Sequence, residues 1–127
     1  FTSYLRSLHS ADHAVGHLWD YIQNQIPEMA NNTAIIVSPE HGRNLEPNRI
    51  KDANAFYGYD HSDSNARRVF NLMAGPGIDS NLVIGNQTNG VGDIVNITPT
   101  IAEILGFKQD MINSGLVYNN NSLFDLI

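Results

Sequence analysis

The stretch Thr33-Ala-Ile-Ile-Val-Ser-Pro-Glu-His-Gly42 constrains the fold more than any other part of the chain. Residues 34–37 are apolar and mostly β-branched, the composition of a strand covered on both faces, which requires packed layers around it. Ser38-Pro39 then cuts the run, because proline offers no ladder donor. Directly beyond stand a carboxylate, an imidazole and a glycine: Glu40, His41 and Gly42. In open α/β sheets, ligands bind just outside the carboxyl ends of the strands, so a buried strand here would deliver Glu40 and His41 to a pocket. Gly42 would let the backbone turn sharply behind them.

The rest of the composition narrows the partners. The chain has 127 residues, 42% hydrophobic and 16% charged, which suits one modest globular domain and not a disordered segment. Thirteen acidic against seven basic residues leave a formal charge of -6, and no basic cluster exceeds Arg67-Arg68. Nucleic acid and anionic membranes are thereby disfavoured as main partners. No cysteine is present, hence no disulfide, thiolate nucleophile or zinc–thiolate site. No apolar run approaches a membrane span. The opening at Phe1, almost directly in helix-like sequence, reads as a piece of a longer protein.

In chain order, Tyr4, Leu5, Leu8, Val15, Leu18, Trp19, Ile22 and Ile26 recur at three- and four-residue spacing and predict a helix from about Thr2, ended by Pro27 and Asn31-Asn32. The central strand follows, then a polar stretch over 43–65 without clear period, which reads as a functional loop or a partly mobile one. Residues 69–74 predict a second strand, closed by Gly75-Pro76-Gly77, and 81–84 a short edge strand. Thr98 and Pro99 read as N-cap and first residue of a helix that carries Ile101, Ile104 and Leu105 and stops at Gly106. The tail over 108–127 is expected to wrap the domain edge through Leu116, Val117, Leu123, Phe124 and Leu126.

Four stretches together resemble the C-terminal part of the alkaline phosphatase superfamily, which includes phosphodiesterases and sulfatases. They are SADHAVGHLWDYI, NNTAIIVSPEHGRN, His61 followed by RRVFNLMAGPGI, and VGDIVNITPTIAEILGF, spanning roughly residues 3–107 in the family's order. The resemblance implies a three-layer α/β/α fold, with residues 1–127 forming part of one alkaline phosphatase-like domain. It implies two divalent metal ions, zinc above all, in the complete domain, with Glu40, His41 and His61 as this chain's ligands. The substrate would be a phosphate or sulfate ester. The nucleophile would lie in the remaining N-terminal part of the same protein, so that no catalytic residue is assigned here and the chain alone would be inactive. A periplasmic or extracellular location would follow from the same likeness. Glu40 stands where that family has Asp, one methylene shorter, a departure zinc tolerates better than magnesium.

Blander readings stand beside these. Glu40-His41 could be a polar turn with His41 bonded to a backbone carbonyl, and His61 a solvated residue of an acidic loop. His9, His13 and His17, at i, i+4 and i+8, read as a solvent face flanking the apolar stripe. Asp12 and Asp93 read as structural, capping or bonding backbone, and Arg43 as a partner for Glu40. The four Asn-x-Ser/Thr triplets are the number expected by chance in so Asn-rich a chain. The alternative to an enzyme fragment is a non-catalytic alkaline phosphatase-like domain serving binding or assembly, and the chain is expected bound to the rest of its protein or as an oligomer, because missing strands would expose part of a sheet.

Overall fold

A computed structural model describes residues 2–42, 65–86 and 89–127. The chain divides into two compact units, one made of 1–36 and 73–80, the other of 37–72 and 81–127.

The first unit is built on helix α1, Thr2–Gln25. Its apolar spacing is as the sequence predicts, and Pro27 ends it by lacking an N–H and crowding the carbonyl four residues back. Ile26, immediately before that proline, is pushed to φ -127 and ψ 80, outside the helical region. Pro27 then occupies the first position of a single further turn, α2, Pro27–Ala30. Strand β1, Ile35–Val37, pairs with β2, Leu72–Ala74, in a two-stranded sheet. The pairing is antiparallel. Gly75, at the end of β2, lies against Thr33 and Ala34 at the start of β1. At the other end Ser38 bonds the carbonyl of Phe70, ahead of β2. Gly75 has φ +148, and a Cβ there would meet Ala34 Cα at 2.7 Å, so both conformation and space demand glycine.

This overturns the three-layer α/β/α expectation. That fold needs a broad, mostly parallel sheet covered by helices, whereas among the described residues there are two antiparallel strands of three residues each. β1 is half-buried along its length and not enclosed on both faces. The expected edge strand at 81–84 is also absent. Asn81 takes the left-handed conformation at φ 60, and Leu82, Val83 and Ile84 are exposed and lie in no strand among the described residues.

The second unit is held by its C-terminal half. A 3-10 turn, Ile94–Asn96, leads into α3, Ile97–Ile104. The cap is Asp93 and not Thr98: its carboxylate accepts the Ile94 N–H at 2.8 Å, while the Asn96 side chain accepts the Asp93 N–H at 2.7 Å. This reciprocal box draws the helix start forward, so Pro99 sits inside the first turn, where its missing N–H costs nothing. Gly106, at φ +79, ends the helix as expected. A further helix, α4, Lys108–Ser114, follows and stops at left-handed Gly115. The tail closes in a 3-10 turn, Phe124–Leu126. Leu116 is 88% exposed and anchors nothing, whereas Val117, Leu123, Phe124 and Leu126 are partly covered.

Candidate functional site

The loop after β1 is where the sequence places chemistry. Gly42 donates its N–H to the Ala66 carbonyl at 2.7 Å, laying the Glu-His-Gly segment beside residues 65–68. A Cβ at position 42 would come within 2.1 Å of Asn65 O and 2.4 Å of Arg68 O. The glycine is therefore needed for close backbone approach, not for the sharp turn expected of it. Glu40 and His41 are both exposed, and His41 Nδ1 donates to the carbonyl of Gly42 at 2.6 Å. That is the polar-turn arrangement. Because the strands are antiparallel, the carboxyl end of β1 lies beside the entry to β2, not beside the Gly75–Gly77 turn. The expected site also needs His61, which precedes β2 in the sequence. His61 and Arg43 lie outside the described residues.

Among the described residues no three His, Cys, Asp or Glu side chains converge to hold a metal ion. The described donors do not fit a zinc pair. His9, His13 and His17 are exposed on α1, as expected of a solvent face, with the rings of His13 and His17 stacked at 6.5 Å. Asp12 is exposed as well.

The densest polar arrangement among the described residues lies elsewhere and combines residues with no motif in the sequence. Lys108 Nζ reaches Glu103 Oε2 at 2.7 Å and Asp125 Oδ2 at 2.5 Å. The Ser122 hydroxyl donates to Glu103, and the Ser122 N–H to Asp125 Oδ2 at 2.7 Å. Hydrogen bonds from Lys108 and then Ser122 hold the Glu103 carboxyl below its ordinary value. Those to Asp125 and then Glu103 hold the Lys108 ammonium above its own. Asp125 is lowered by Lys108 and by the Ser122 backbone.

A serine beside a lysine and two carboxylates has the composition of an activated nucleophile. The environment argues otherwise. Ser122 is fully buried, and a lysine kept protonated by two carboxylates cannot take the hydroxyl proton. An open cleft lined by Gln109, Ile112, Asn120 and Asn121 borders the cluster without exposing the Ser122 hydroxyl. The cluster is a structural tie. It fastens the tail to α3 together with Asn96, whose amide donates to Asn121 O at 2.8 Å, and Thr100, which accepts the Leu123 N–H at 2.8 Å.

No known protein family, curated protein or solved structure matches this chain. The likeness to the alkaline phosphatase superfamily thus rests on short stretches alone, and the two-stranded sheet and missing donor cluster contradict it. Nothing among the described residues supports a phosphatase, phosphodiesterase or sulfatase site, a zinc cofactor, or a non-catalytic domain of that fold.

Proposed function

We propose that this chain acts as a protein–protein assembly element that docks through the apolar face of α1. The observation that supports this is the mismatch between pattern and burial along one helix. The stripe is continuous, yet Ile22 is its one buried side chain and Val15, Trp19 and Ile26 are partly covered. Towards the amino end, Tyr4, Leu5 and Leu8 are 43%, 49% and 49% exposed, and Leu18 is 52% exposed. A run of such residues on one face marks an interaction surface more often than scattered single ones do.

The chemistry favours a polypeptide occupant. The surface is a convex ridge, not the concave pocket a small molecule needs. Membrane-surface helices carry a polar face rich in Lys and Arg, whereas α1 has Arg6 alone against Asp12 and Asp20, in a chain of net charge -6. No described helix is long and apolar enough to cross a membrane.

For the chain by itself the occupant is a second copy. Covering the remaining half of each of these side chains contributes about 1 kcal/mol apiece, so about 8 kcal/mol for two apposed faces. An association cost at the low end, about 4 kcal/mol, leaves about 4 kcal/mol net, an affinity in the millimolar range. Sedimentation equilibrium across that range should show the average mass rising with concentration, and Leu5→Glu with Leu8→Glu should abolish the rise while helicity is kept. A chain that stays monomeric throughout, indistinguishable from the double variant, would refute the proposal.

A further inference from the structure

We infer that Asn89-Gly90 is a self-modifying site, at which the Asn89 carboxamide converts spontaneously to a mixture of aspartate and isoaspartate. It is the one Asn-Gly pair in the sequence. The reaction requires the Gly90 backbone nitrogen to attack Asn89 Cγ. An N–Cγ bond forms, the Cγ–amide bond breaks, and the nitrogen's proton leaves with the departing ammonia. Water then opens the resulting five-membered succinimide at either carbonyl. The net change is one water consumed and one ammonia released, with no oxidant or cofactor.

The structure leaves both reacting groups available. Asn89 and Gly90 are exposed and lie outside regular secondary structure. The main chain of Asn89 is held: its N–H donates to Asn86 Oδ1 at 2.9 Å, and its carbonyl accepts the Asn86 N–H at 3.1 Å. Its side-chain amide has no hydrogen-bond partner among the described residues, and neither does the Gly90 N–H. Nothing lies within 4 Å of where a Gly90 Cβ would stand, so no neighbour blocks the approach. A fixed backbone with a free side chain beside an unhindered nitrogen is the proximity arrangement that speeds an intramolecular attack.

The neighbouring candidates are closed off. Asn113 lies within α4, where backbone nitrogens are engaged, and its Oδ1 accepts from Gln109 Nε2 at 3.0 Å. Asn121 precedes Ser122, whose N–H is committed to Asp125. Selectivity among three asparagines that each precede a small residue is thus set by hydrogen bonding.

Conversion replaces a neutral amide by a carboxylate, taking the formal charge from -6 to -7. The isoaspartate branch also adds a backbone carbon between Asn89, whose main chain is bonded to Asn86, and Val91. That region is tight, since a Cβ on Gly85 would meet Asn89 O at 2.9 Å and Val91 Cγ2 at 3.0 Å.

The test is peptide mapping by mass spectrometry of the folded chain aged at mildly alkaline pH, with a parallel sample unfolded in urea. Conversion at Asn89 should exceed that at Asn113 and Asn121 by about tenfold, and proceed within about threefold of its rate in urea. Gly90→Ala, which meets no steric obstacle, should slow it by about tenfold because a side chain hinders the attacking nitrogen. Folded-state conversion more than about tenfold slower than in urea, or equal at all three asparagines, would overturn the assignment.

Discussion

Replacing Thr100 by Val tests whether the tail is held by a single buried hydroxyl. Thr100 is fully buried, donates to Asn96 O at 2.6 Å and accepts the Leu123 N–H at 2.8 Å. Valine has nearly the same shape, so no cavity forms, but the Leu123 N–H loses its acceptor and Asn96 O one donor. Leaving a buried donor unsatisfied costs about 1–3 kcal/mol, so a loss of about 2 kcal/mol is expected. Converted at 1.4 kcal/mol per tenfold, hydrogen-exchange protection at Leu123 should fall by about 30-fold. Thr100→Ser keeps the hydroxyl and deletes one methyl, costing about 1 kcal/mol with Leu123 still protected. The contrast between the variants carries the test. If valine leaves Leu123 protection unchanged while serine lowers it, packing and not hydrogen bonding holds the tail, and the tie described above is wrong.

Two further outcomes follow from the geometry. Gly42→Ala places a methyl against two backbone carbonyls and should break the Gly42–Ala66 hydrogen bond, at a cost of about 3 kcal/mol read from the denaturant midpoint; an unchanged midpoint would mean residues 42 and 65–68 are not in contact. The Glu103 and Asp125 carboxyls are lowered, so their contribution is present above the ordinary carboxylate range near pH ~4 and is lost as pH falls through their folded values. Lys108 is raised, so its contribution is present below pH ~10.4 and is lost as pH rises through its folded value. Thermal melts should therefore show a plateau with losses at both extremes, and Lys108→Met should lower the plateau and flatten both edges. Because the carboxylates are partly exposed, salt should shrink the effect, and a salt-independent difference would point to lost packing instead.

How far the sequence reveals this molecule depends on the range of the interaction. Pro27 and Gly106 act on their own backbone, and the helix ends they set are where a local rule puts them. The Asp93–Asn96 box is also local, but it competes with Thr98-Pro99, and Asn96 prevails because its amide gains a distant partner in Asn121. An apolar run such as 35–37 announces a strand without stating the direction of its neighbour or how many layers cover it. Pairing direction is settled by contacts tens of residues away, such as Ser38 with Phe70. The metal expectation came from short stretches of resemblance, and no three donors converge among the described residues. The Glu103–Lys108–Ser122–Asp125 tie has no period or motif. Its members are ordinary surface residue types until the tail folds back.

That fold-back clamps both ends of a short excursion. Residues before 115 belong to α4 and those from 121 onward are fastened to α3, while Leu116 and Tyr118 between them are 88% and 99% exposed. Extra chain placed between such fixed posts changes only the closure entropy, about 0.6 kcal/mol for each doubling of length. The segment around Tyr118 is thus a natural graft point, where an epitope or a guest sequence could be carried without disturbing either the helix or the tail that bracket it.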